Sequence, residues 1–179
     1  MRATYEPPLD ARAYGFCHRV RVRFAETDAM GVVHHAAYLP YLEETRVEFL
    51  RSVGHPYDAI RASGFELPVS EVAVRYLRPL AFDDVVDVHL RVVRAKGATF
   101  ELGYLLVVAG QPRATAVSLH AVVGPAGRPV RCPGWLAALA AASASPASPA
   151  SPASPASPAS PASPTSPASP GSRAVAPES

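Results

Sequence analysis

Cysteine is scarce: Cys17 and Cys132 are the only 2 in 179 residues, and they stand far apart in no CxxC or Cys/His spacing. That spacing excludes a disulfide framework and gives no zinc-ligand pattern, so both are read as free thiols and no metal or cofactor is expected. No apolar run is long enough to span a membrane, and the first residues, with Arg2, Glu6, Pro7 and Pro8, lack the form of a signal peptide. A soluble, cytoplasmic protein without membrane insertion is expected. Excess charge is missing too: a net charge of +2 gives nucleic acid no claim as the main partner. Nor is there a glycine-rich loop to cradle a phosphate.

Proline, by contrast, is abundant, and most of the 20 lie in one place. From Ser143 to Pro170 an Ala-Ser-Pro unit repeats with one interruption at Thr165, and nothing in it is larger and apolar enough to build a core. Proline fixes φ and removes a donor while serine and alanine bury almost nothing, so residues 143–179 are expected to be an extended or disordered tail. Residues 1–15, with no periodicity, read as a flexible arm. What remains, 16–142, is about the length of one domain with a sizeable core.

Within that domain the patterns are distinct. His18-Arg19-Val20-Arg21-Val22-Arg23-Phe24 alternates, which predicts a strand with Val20, Val22 and Phe24 on one face and three arginines on the other. Tyr38, Leu42, Thr45, Phe49 and Val53 then recur at helical spacing up to Gly54, with Glu43, Glu44, Arg46, Glu48 and Arg51 filling much of the remainder. That is a helix of about four turns, whose start at His35 or near Leu39 turns on how Pro40 is accommodated. Period-two patterns follow around Val72–Tyr76, Val86–Val92, Phe100–Val108 and Thr115–Ala121, separated by short turn signals. A short amphipathic segment surrounds Trp135-Leu136. Short connections favour antiparallel pairing, and one long helix must cover the sheet: an α+β roll of about five strands curled round it.

Between the first strand and the helix lies Glu26-Thr27-Asp28-Ala29-Met30-Gly31-Val32-Val33-His34-His35-Ala36-Ala37-Tyr38. The turn it requires aims a helix start at whatever binds there, placing an electrophilic site beside the Asp28 carboxylate. Gly31 suits an unusual φ or a close approach to substrate. Glu26 and Glu43 are rival carboxylates, although a helix-face glutamate is usually just solvated. His34 and His35 are adjacent, so they do not share a helical face and are not read as a metal pair.

The pattern Phe24-x-x-Thr27-Asp28-x-x-Gly31-Val32-Val33-His34-His35-x-x-Tyr38, with Val74-x-Tyr76-x-x-Pro79-x-x-Phe82-Asp83-Asp84 beyond it, resembles the hotdog-fold acyl-CoA thioesterases. The type it resembles is that of 4-hydroxybenzoyl-CoA thioesterase, including the bacterial acyl-CoA thioesterases encoded beside Tol-Pal genes. The resemblance runs from about His18 to Leu139. It implies acyl-CoA hydrolysis, with Asp28 as nucleophile or general base and the backbone N–H of His35 as oxyanion donor. It also implies coenzyme A phosphates held by basic side chains at the turn before Gly97, where Arg91, Arg94 and Lys96 stand and Arg94 and Lys96 match best; Arg75 and Arg78 are weaker candidates. A homodimer or homotetramer is implied as well. Tyr38, Tyr41, Phe65 and Tyr76 are candidates to line the acyl pocket, whose specificity stays open. Two alternatives remain at this stage: hydrolysis of an acyl group from a carrier protein, and a non-catalytic domain that binds acyl-CoA.

Overall fold

The computed structural model describes residues 5–144, so all of the Ala-Ser-Pro segment beyond that point lies outside the described residues. Five strands form one antiparallel sheet: β1 Phe16–Arg21, β2 Val69–Tyr76, β3 Val85–Lys96, β4 Thr99–Val108 and β5 Gln111–Ala121, in the order β1-β3-β4-β5-β2. Alternation decides the faces. Val86, Val88, Leu90 and Val92 of β3 and Phe100, Leu102, Tyr104 and Leu106 of β4 are almost fully buried in one cluster with the helix. Burying each such leucine or valine stabilises the fold by about 1.5–3 kcal/mol before the entropy of ordering it is counted.

The helix α1, Tyr38–Ser52, lays Tyr38, Tyr41, Leu42, Thr45, Phe49 and Leu50 on that cluster. A 3-10 turn, His35–Ala37, leads into it, so Pro40 falls in the first helical turn, where its missing N–H costs little. Gly54, at φ 81, ends it in a conformation only glycine adopts cheaply. A short helix α2, Tyr57–Ala62, follows. The amphipathic segment after β5 is a full helix, α3 Gly134–Ala144, which packs on β3 and buries Leu136. It takes in Ser143, read from sequence as the start of the tail, and the carbonyl of that residue accepts a hydrogen bond from Arg91.

Three sequence expectations are corrected here. β1 stops at Arg21, and Phe24 sits not on a sheet face but in a 3-10 turn, 76% exposed and edge-on to Phe82. Arg46, expected on the solvent face of α1, is buried. The described part of the first segment is not a loose arm either. Tyr14 is buried against Leu105 and Val107 on the outer face of β4, its hydroxyl donating to Pro8 O at 2.8 Å. Gly103 makes room nearby: a Cβ there would stand 2.7 Å from the Tyr5 ring. Apolar residues on the outer face therefore gain a cover that periodicity alone does not reveal.

Candidate active site

The loop from β1 to α1 is held by hydrogen bonds at each step. Glu26, itself buried, accepts from the Tyr41 hydroxyl at 2.5 Å, from the Arg23 N–H at 2.8 Å and from the Arg23 guanidinium at 2.8 and 2.5 Å. Its carbonyl takes the His34 N–H at 2.8 Å. Burial pushes the Glu26 carboxyl up, but the bonds from Tyr41 and Arg23 outweigh it and hold the group below the usual carboxylate range. Glu26 is thus a clamp between loop and helix, with no free oxygen to offer a substrate.

Beyond the clamp the chain folds back on itself. Thr27 bridges Val33, and Asp28 N–H donates to Val32 O at 2.9 Å. Between them Gly31 N–H returns to Asp28 O at 2.9 Å, closing a four-residue turn in which Gly31 takes φ 76. The Asp28 carboxylate stabilises this turn by accepting the Met30 N–H on Oδ1 at 2.8 Å, while Oδ2 receives no hydrogen bond from the described residues. Val33 N–H to Leu80 O at 2.8 Å and a bridge from Val32 to Ala81 fasten the turn to the β2–β3 connection.

Space for a Cβ exists at Gly31, so its requirement is purely one of backbone. Gly31→Ala is expected to cost about 1–2 kcal/mol through the left-handed φ, in a thermal or urea denaturation curve. Gly31→Asn should cost less, since asparagine tolerates that region. Equal losses for both variants would mean that something other than φ is at stake.

His34 caps the following 3-10 turn through Nδ1, 3.3 Å from the Ala36 nitrogen, and its ring lies 4.1 Å from that of His35. The N–H of His35 donates to no acceptor among the described residues. Its carbonyl accepts the Tyr76 hydroxyl at 3.0 Å. Tyr76 in turn meets Tyr38 edge to face at 4.9 Å, and burial raises the Tyr38 phenol, keeping it protonated. Asp28, His35, Tyr38, Tyr76 and Arg78 all line one cavity of about 340 Å³, floored by Val32 and Val33. A carboxylate oxygen without a partner and an N–H without an acceptor, on one pocket at a helix entrance, supply a base or nucleophile and an electrophilic donor.

Residues 22–142 match the model of the thioesterase-like superfamily. The chain belongs to that superfamily. This thioesterase-like chain is also 39% identical to a hypothetical protein of Aquifex aeolicus of known crystal structure, covering 69% of this chain and 98% of that one at a TM-score of 0.66. It is 36% identical over 86 residues to the acyl-CoA thioesterase YbgC of Haemophilus influenzae, covering 48% of this chain and 63% of that protein. A Thermus thermophilus thioesterase complexed with coenzyme A and zinc is 26% identical, covering 73% of this chain and 95% of that one at a TM-score of 0.63. The curled sheet around α1 is the hotdog fold of these neighbours.

Of the expected site residues, Asp28, His35 and Tyr38 line the pocket and Gly31 closes the turn beside it. Arg94 and Lys96 do not reach it. The Asp28 loop is tied to the connection entering β3 at Val85, whereas Arg94 and Lys96 stand at the other end of that strand, roughly 30 Å along it. Arg94 faces the buried Glu101 at 3.6 Å. The cation that lines the pocket is Arg78, ranked low from sequence because nothing local marks it. Tyr41 serves the Glu26 clamp and Phe65 lines a separate cavity beside α2 and α3. Among the described residues no three His, Cys, Asp or Glu side chains form a metal cluster, and no helix is long and apolar enough to cross a membrane.

Proposed function

We propose that this thioesterase hydrolyses acyl-CoA, with Asp28 acting on the thioester carbonyl and the His35 N–H receiving its developing negative charge. The observation that carries the reading is the shared pocket: an unengaged Asp28 oxygen and an acceptor-free His35 N–H at the entrance to α1. The coenzyme A bound by the Thermus relative and the acyl-CoA activity in the name of the Haemophilus relative support it. As the carbonyl oxygen gains charge, a fixed N–H at a helix entrance stabilises it without reorganisation, an effect worth about 3 kcal/mol per donor elsewhere. Thioesters are reactive enough that a carboxylate and such a donor suffice. Asp28 either deprotonates the attacking water or attacks the carbonyl itself, breaking the C–S bond and expelling the coenzyme A thiolate to leave a mixed anhydride that water then opens. Label in the Asp28 carboxylate after single-turnover hydrolysis in oxygen-labelled water identifies the second route, since water that opens the anhydride at the Asp28 carbon leaves its oxygen there and the first route leaves none.

The coenzyme A phosphates are assigned here to Arg78 at the pocket rather than to Arg94 and Lys96 of the same subunit. The same reading extends to assembly. β2 is an edge strand, and a second copy paired along it would protect its open backbone edge. The catalytic domain is taken as 16–142, a reading supported by the family match over 22–142, with the packed residues before it and the last turn of α3 belonging to the same unit and the tail beyond as a spacer.

Turnover of a panel of acyl-CoA thioesters, from acetyl to palmitoyl and benzoyl, beside matched carrier-protein thioesters, tests the assignment. Hydrolysis of coenzyme A esters at rates above those on the carrier protein is expected. Faster carrier-protein turnover would move the substrate to the carrier class, and saturable binding with no turnover would make the chain a non-catalytic binder.

A further inference from the structure

A second cavity, of about 200 Å³, opens between α1 and β2 and takes no part in the chemistry assigned to Asp28. Leu39, Val69 and Val72 give it an exposed apolar rim, while Arg46, Ser118 and His120 beneath are 6, 3 and 1% exposed. The floor is not satisfied by the protein. Arg46 Nη1 is buried without a hydrogen-bond partner among the described residues. The carboxylate paired with Arg46, that of Glu43, lies 3.8 Å from Nη2 and is largely in solvent, too distant for a hydrogen bond. The Tyr57 ring, 5.7 Å from the guanidinium, offers a π face but no acceptor for Nη1. His120 shares a 2.7 Å hydrogen bond with Ser118, which stands 3.3 Å from the Tyr104 hydroxyl. Burial first, and then the Arg46 charge, lower His120 to about 4, so the ring is neutral near pH 7; Arg46 is the one buried charge in the lining, because Glu43, which also lines the cavity, holds its carboxylate largely in solvent. A buried guanidinium with an open N–H is costly unless an anion meets it.

We propose that this cavity receives a carboxylate at the far end of the acyl group, which makes dicarboxylic acyl-CoA esters the preferred substrate class. The inference rests on the acyl-CoA reading of the Asp28 pocket. The two cavities follow one another along the same elements: Tyr38 and Tyr76 line the first, Leu39 and Val72 the second. From Tyr76 to Val72 is about 13 Å of strand, and from Tyr38 to Arg46 about 12 Å of helix. A medium-length acyl chain with its thioester at Asp28 therefore spans the apolar rim and sets its terminal carboxylate against Arg46, with Ser118 and His120 as further partners. A plain alkanoyl chain of the same length would leave the guanidinium unpaired, the arrangement that polar sites reject most strongly.

The test compares decanedioyl-CoA with decanoyl-CoA on the full chain. For the wild type, kcat/KM is expected to favour the dicarboxylic ester by about 100-fold, most of it in KM. Arg46→Met should collapse the ratio, Arg46→Lys should restore part of it, and melting curves report whether each variant folds. A wild-type ratio near one, or one favouring decanoyl-CoA, overturns the proposal whether or not any variant folds. Calorimetric binding of monomethyl decanedioate against methyl decanoate does not depend on turnover. If no thioester is hydrolysed, saturable binding of monomethyl decanedioate but not of methyl decanoate, lost in Arg46→Met, upholds the carboxylate site while the hydrolase reading falls. Failure of the acid to bind then overturns the carboxylate site as well.

Discussion

Replacing Asp28 by asparagine is expected to lower kcat for acyl-CoA hydrolysis by about a thousandfold, in line with the loss of a positioned general base, while the protein stays folded. The two halves of that expectation have separate causes. Asparagine keeps an amide oxygen where Oδ1 accepts the Met30 N–H at 2.8 Å, so the Asp28–Gly31 turn survives. What is lost is the charge and basicity of Oδ2, the oxygen that no described residue engages. The measurement is steady-state hydrolysis of the best ester in the panel beside a thermal melt. A variant that keeps the wild-type kcat would remove Asp28 from the chemistry. One that melts far lower would show instead that the turn needs the charge.

Glu26→Ala should have the largest effect on stability, about 3 kcal/mol in urea denaturation, because it strands the buried Tyr41 hydroxyl and cuts the loop from α1. Less of that comes from Arg23, whose side chain is 75% exposed, so solvent screens its pairing with Glu26. Tyr41→Phe on the alanine background should then cost little more, since its partner is already gone. The clamp also carries a pH signature. The folded Glu26 carboxyl is held below its ordinary value, so its contribution is fully present above the usual carboxylate range and is lost as pH falls through the lowered folded value. The acid limb of the stability curve should therefore flatten in Glu26→Gln, and an unchanged limb would exclude the clamp as its source.

Sequence periodicity by itself determined the inner face of β3 and the end of α1, while the start of α1 turned on how Pro40 is accommodated. Val86, Val88, Leu90 and Val92 point inward because side chains alternate on any strand, and α1 ends at Ser52 because Gly54 follows. Asp28 and Gly31 were legible as a turn before a helix because that pattern is local, whereas a role for the His35 N–H was only what the family resemblance implied. The tertiary structure alone decided the rest, since it depends on what arrives from elsewhere in the chain. Arg46 reads as a solvent-facing charge on α1 until β2, β4 and β5 bring Val72, Tyr104 and His120 around it. Arg94 and Lys96 read as companions of Asp28 until the length of β3 carries them to its far end, and Arg78 joins the pocket only because the segment after β2 ends there. Likewise Tyr5 and Tyr14 lie on the outer face where Gly103 leaves room. Periodicity describes one element at a time, whereas burial, unpaired polar groups and site membership arise only where elements distant in sequence meet.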